Sequence, residues 1–121
     1  MSAGMPTGGL SLDQAPPLAV PVTFFVTAPV AAFAAGVLLL VEGSAALTSS
    51  WLPQTLALTH LGTLGFLAMV MLGALYQLIP VVAGSRVRGV RSAHAVHVLL
   101  SLGLVGLVTG LMAGASRIAR S

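Results

Sequence analysis

The chain has 121 residues, of which 57% are hydrophobic and 6% charged, and its mean hydropathy is +1.06; soluble proteins carry about a quarter of their residues charged, so a soluble globular domain is excluded. Five basic residues, all Arg, against two acids give a formal charge of +3, but with no basic stripe interleaved with aromatics this excess speaks for headgroup contacts and topology, not for nucleic acid. With no Cys there are no disulfides, thiolate metal sites, thioether-attached haem or cysteine nucleophiles, which leaves oxygen and imidazole chemistry.

Residues 1–17 include Gly8, Gly9, Pro16 and Pro17 and little apolar surface, a composition expected of a flexible tail. A secretory signal starts with basic residues; this segment carries Asp13 instead, and the apolar run that follows is too long for a cleaved signal, so it is expected to remain as an anchor. Crossing the hydrocarbon core as a helix takes about 20 apolar residues. Three uncharged runs meet that length: Leu18 to Val41, closed by Glu42; Leu56 to Val82; and Ala93 to Ala115, followed by a short tail over 116–121. Turn-forming residues separate them, from Gly43 to Pro53 and from Gly84 to Arg91. Long apolar blocks in place of alternating strands exclude a β-barrel. The expected fold class is all-α, an integral membrane protein with three transmembrane helices.

Basic residues near the span ends set orientation. Arg86, Arg88 and Arg91 stand on the side of the amino terminus, and Arg117 and Arg120 on the other, a three-to-two bias that predicts a cytoplasmic amino terminus in the cell membrane. Lipid gives helices no hydrophobic reason to associate, so small residues that allow close backbone approach mark packing faces. Gly103, Gly106, Gly110 and Gly114 predict one along the third span, and Ala28, Ala32 and Gly36 a weaker one along the first, where Pro29 is expected to introduce a bend. Three helices make a thin bundle, so packing against another copy or a larger membrane complex is expected.

Ionisable groups inside a span are costly and therefore functional candidates. His60 lies in the second span beside Thr59, Gly62 and Thr63. An imidazole ligates metal through one nitrogen while its other N–H is oriented by a neighbour, and Thr63, three residues on, is placed for that role. The competing reading is a hydrogen bond to another helix. His94 and His97, three apart at the start of the third span, project on nearly one face and are candidates for metal or haem; equally they suit contact with headgroups beside Arg91. Trp51 and Tyr76 read as interfacial aromatics, and Glu42 as a solvated residue at the end of its helix. The acids pair with no Ser, Thr or His for hydrolysis, and no phosphate-binding glycine loop follows a strand, which points away from an enzyme.

The stretch from Leu58 through His60, Gly62, Thr63, Gly65 and Phe66, continued by Gly73, Ala74, Tyr76, Gln77 and Pro80, resembles the second transmembrane helix of the haem-copper oxidase subunit I superfamily, nearest its nitric-oxide-reductase-like branch. In that family the histidine near the outer end of this helix is an axial ligand of the low-spin b-type haem. The resemblance implies that His60 ligates haem b and that the chain is cytochrome c oxidase subunit I-like in its amino-terminal helices alone. The family's partner histidine and copper ligands come from later helices, so no binuclear centre is implied, and the resemblance makes the chain a fragment, a degenerate relative or a small haem unit.

At 1.5 Å per residue, His60 falls roughly 10 Å to one side of its helix centre and His97 roughly 9 Å to the other side of its own. A haem needs both axial ligands at one depth, so the two are not expected to share one within a chain. A parallel two-fold dimer instead pairs each histidine with its own copy. Three readings follow: a haem-b protein for electron transfer or gas sensing; a cofactor-free scaffold or accessory subunit joined through the glycine groove; and a transporter or channel, for which no polar stripe or broken helix pair argues.

Overall fold

The computed structural model describes residues 17–84 and 89–121; the tail through Pro16, with Asp13, and the loop residues Arg86 and Arg88 lie outside them. Three helices make up the fold: α1 (Ala19–Glu42), α2 (Pro53–Ala83) and α3 (Val90–Ile118), and no strand occurs among the described residues. All three are long and apolar enough to cross a membrane. They run past the apolar blocks, taking in Pro53, Arg91 and Arg117, because backbone hydrogen bonding does not stop at the hydrocarbon boundary and headgroups accept charged side chains on a helix.

The turns have identifiable causes. α1 stops at Gly43, whose φ of 61° few side chains tolerate and whose N–H returns to the Leu39 carbonyl. A 3₁₀ turn over Gly43–Leu47 follows, and the Thr55 hydroxyl reaches back to the carbonyls of Ala46 and Ser49, tying this loop to α2. Pro53 opens α2 in its first turn, where the missing N–H costs nothing.

The core lies at the Gly84 end, where Val20, Phe24 and Ala28 of α1 pack with Met69 of α2 and Ala93 of α3. α1 rests mainly on the middle and second half of α2, whereas α3 rests chiefly on its first turns, Pro53–His60. All three meet at Gly65. A Cβ placed there would lie 2.5 Å from the Ala31 Cβ and 2.8 Å from a Leu104 methyl. Gly103, Gly106, Gly110 and Gly114, by contrast, have nothing within 4 Å of a Cβ. The predicted groove of the third span therefore packs against nothing among the described residues. Of the predicted ridge of α1, Ala28 is buried with Ala31, whereas Ala32 and Gly36 are exposed, so within this chain only its first residue is turned inward.

Between its α-helical ends, α2 is a π-helix over Leu61–Ala68. Three carbonyls at its entrance, those of Thr55, Leu56 and Thr59, accept side-chain hydrogen bonds from Thr59, His60 and Thr63, and Gly62 and Gly65 weaken the α conformation. Side chains that load the carbonyl ladder favour such departures from α geometry. The wide turns also serve packing. Ala57, Leu61, Gly65, Met69 and Gly73, each four residues apart, are all buried. A 3.6-residue turn rotates every four-residue step by about 40° off the face, and the wider π turns rotate it back.

Gly65→Ala is expected to destabilise the fold by about 1–3 kcal/mol through overpacking, whereas Gly110→Ala leaves it unchanged or raises its stability by up to about 1 kcal/mol through helix propensity. Unfolding of both variants in mixed micelles, followed by circular dichroism, checks the pair.

Candidate functional site

The three histidines take up three different situations. His60 is half-buried at the junction where α2 enters the π-helix. Its Nδ1 lies 2.7 Å from the Leu56 carbonyl oxygen. A carbonyl only accepts, so Nδ1 carries the proton, and in the neutral ring Nε2 is left as a bare lone pair. This is the arrangement in which metal-binding histidines are held, with one nitrogen donating to a carbonyl that fixes the ring and the other free to ligate. The orienting group is thus the carbonyl one turn back. Thr63, expected in that role, instead donates to the Thr59 carbonyl at 2.8 Å, because a threonine hydroxyl in a helix reaches the i−4 carbonyl more readily than a ring on the preceding turn.

Beside His60 the surface of α2 is open. Thr59, Gly62 and Thr63 are exposed, and a Cβ on Gly62 would meet nothing within 4 Å. Gly62 stands two residues on from His60 and so on the far side of α2 from the imidazole, and the open backbone there and the ring face different neighbours.

His97 is committed to holding helices together. The Thr27 hydroxyl lies 2.8 Å from the Thr23 carbonyl and 2.7 Å from His97 Nε2. Its one proton goes to the carbonyl, so it accepts from Nε2–H, and the nitrogen that usually ligates haem iron is engaged. The ring also stands edge-on to Phe24 at 5.1 Å, and Phe24 stacks on Tyr76 at 5.5 Å. Tyr76 is therefore half-buried in an inter-helix aromatic cluster and is not the freely interfacial residue expected of it. Trp51, at 86% exposure, retains a position suited to the headgroups.

His94 resembles His60 in bonding but not in surroundings. Its Nδ1 donates to the Val90 carbonyl at 2.9 Å, yet the side chain is exposed, beside exposed Arg91. His94 and His97 do not form one site, since one faces outward and the other faces α1. His60 is separated from this cluster along α2 by the sixteen residues to Tyr76, roughly 20 Å of helix. Among the described residues no three His, Asp or Glu side chains converge to hold a metal ion. A haem asks less of the protein, because the porphyrin supplies four ligands and the chain one or two. His60 fits that requirement, with an oriented ring and an Nε2 that makes no hydrogen bond to the described residues.

Two features of this geometry differ in how far a sequence reveals them. The Leu56 carbonyl follows from the i−4 reach of a helical histidine; the pairing of His97 with Thr27, seventy residues apart, has no local signal. No family model matches the chain, and no curated protein and no solved structure matches it.

Thr27→Val leaves the His97 Nε2–H without its partner and is expected to cost about 0.6–1.7 kcal/mol, the range of hydrogen bonds between membrane helices. A double-mutant cycle with His97→Phe, measured by unfolding in mixed micelles, should return a coupling of that size.

Proposed function

We propose that the chain is a small haem-b-binding protein of the cell membrane, related through α2 to subunit I of the haem-copper oxidases, with its amino terminus in the cytoplasm and electron transfer as its task. The observation that carries this reading is the orientation of His60, with Nδ1–H on the Leu56 carbonyl and Nε2 free. When bound, haem b supplies one-electron redox chemistry at its iron. The chain's part is to present Nε2 and to fix the ring plane through Leu56.

A second axial nitrogen at the same depth is wanting within one chain, since His97 and His94 belong to the other end of the bundle and His97 Nε2 is engaged by Thr27. In a parallel homodimer the two His60 rings at matched depth would hold one haem between them, which would suit electron transfer. A single His60 would hold it alone, which would suit gas sensing. The second reading, a cofactor-free accessory subunit, is favoured by one observation, the bare face of Gly103, Gly106 and Gly110. In that case the glycine face holds a partner helix and His60 bonds across an interface.

The test is a dithionite-reduced minus oxidised absorbance spectrum of the detergent-purified, haem-supplemented protein. The expected outcome is a sharp α-band at one haem per two chains, insensitive to carbon monoxide. His60→Ala should lower haem retention by about tenfold or more, while His97→Ala keeps the band. One haem per chain with a carbon monoxide shift selects gas sensing. A colourless protein, or a spectrum indifferent to His60, overturns haem binding in favour of the accessory subunit.

A further inference from the structure

α2 and α3 run antiparallel and meet where a Leu104 methyl faces the Gly65 backbone, and the two sides of this seam differ. On one side α1 and α3 part and leave a groove lined by Val105 and Val108 of α3 with Leu61 of α2. On the other side stand His60 and Arg117. Around α2, His60 lies about 100° from Leu61, across Ala57, which is buried where this limb rests on α3. Around α3, Val108 and Val105 stand about 40° and 100° from Leu104 toward the groove, whereas Gly114 and Arg117 stand about 80° and 140° from it the opposite way.

Antiparallel packing also brings the two side chains toward one depth. His60 precedes Gly65 by five residues and so lies level with the α3 turn around Thr109, with Arg117 about 12 Å farther along the axis. Helical side chains lean toward their own amino terminus, so His60 leans toward the level of Arg117, as its bond to the Leu56 carbonyl shows, and Arg117 leans back toward the level of His60. Between them Gly110 and Gly114 have nothing within 4 Å of a Cβ. The guanidinium of Arg120 is held by the carbonyl and hydroxyl of Ser116. That of Arg117 is exposed and bonds to none of the described residues.

An imidazole lone pair inside the span and an unengaged guanidinium at its end suit a ligand that is apolar over most of its area, coordinates through a metal, and is anionic along one edge. Haem b has this form, because its propionate carboxylates share one edge of the porphyrin. Carboxylates are costly to carry into an apolar medium, and the planar fork of an arginine is matched to them. We infer that Arg117 is the partner of these carboxylates, so that the haem ligated by His60 lies along the α2–α3 seam with its carboxylate edge toward the end of the bundle where exposed Trp51 meets the headgroups. The inference rests on the haem reading of His60 and adds to it a second point of attachment and an orientation.

The test is an absorbance titration of the full chain in detergent with haem b and with its dimethyl ester, whose carboxylates carry no charge. Comparing the ratio of the two affinities between variants cancels the different partition of the two porphyrins into detergent. Arg117→Gln should weaken haem b about tenfold, the size of one lost charge-assisted hydrogen bond, and leave the ester unchanged. Arg117→Lys should keep part of the preference for the free acid, and Arg120→Gln all of it. A ratio that Arg117→Gln leaves unchanged, with both porphyrins still lost in His60→Ala, overturns the role of Arg117 while the haem reading stands. A chain that binds neither porphyrin, or binds them regardless of His60, overturns the haem reading and this inference with it.

Discussion

The fold depends on the close approach of three helices at Gly65, where the α2 backbone stands against the Ala31 side chain and the end of Leu104. In lipid an apolar side chain gains nothing by leaving the solvent, so cohesion comes from dispersion at contact distance and falls off within an ångström of separation. A residue without a Cβ is the means of reaching that distance. The rest of the architecture follows from it. α2 serves as the common support, α1 and α3 diverge from each other around it, and the divergence leaves a groove at one end and is bridged by His97 and Thr27 at the other.

Polar groups in this chain are handled almost entirely within their own helices. The hydroxyls of Thr23, Thr27, Thr59, Thr63 and Thr109 all reach carbonyls four residues back, and so do the rings of His60 and His94. Local satisfaction lowers the cost of placing them in an apolar medium and leaves helix association to shape. His97 departs from the pattern by bonding across to α1. His60 departs in another way, since its local bond leaves the second ring nitrogen facing outward from the backbone that satisfied the first. Packing and chemistry meet there, because the same side chains that load the carbonyls near Leu56 and Thr59 stand at the start of the π-helix.

Much of this was legible in the residues. Three apolar blocks divided by turn residues specify three spanning helices, because length and hydropathy are what a bilayer selects on. His60 stands out for the same reason, as an ionisable group where such groups are expensive. The choice of packing glycine was not legible. Gly106, Gly110 and Gly114 have the periodic spacing associated with close helix contact, yet Gly65 makes the contact, since a repeat describes one helix surface and says nothing of which neighbour faces it. The aromatic cluster of Phe24, Tyr76 and His97 and the bond to Thr27 depend on three-dimensional proximity between distant segments and leave no local trace. The π-helix has a partial one: threonines and a histidine spaced to load successive carbonyls among glycines.

A π segment amounts to extra chain length absorbed inside an α-helix without breaking it. The two limbs of α2 therefore have a relative twist that is set by a count of residues and not by side-chain identity. Each residue of an α-helix turns about 100°, and each residue in the wide turns of Leu61–Ala68 turns less. The direction in which the Pro53–His60 limb faces relative to Met69–Ala83 is therefore a matter of arithmetic: it depends on how many residues are spent in wide turns, and the azimuth of His60 and the seat of α3 on that limb are set together by that number.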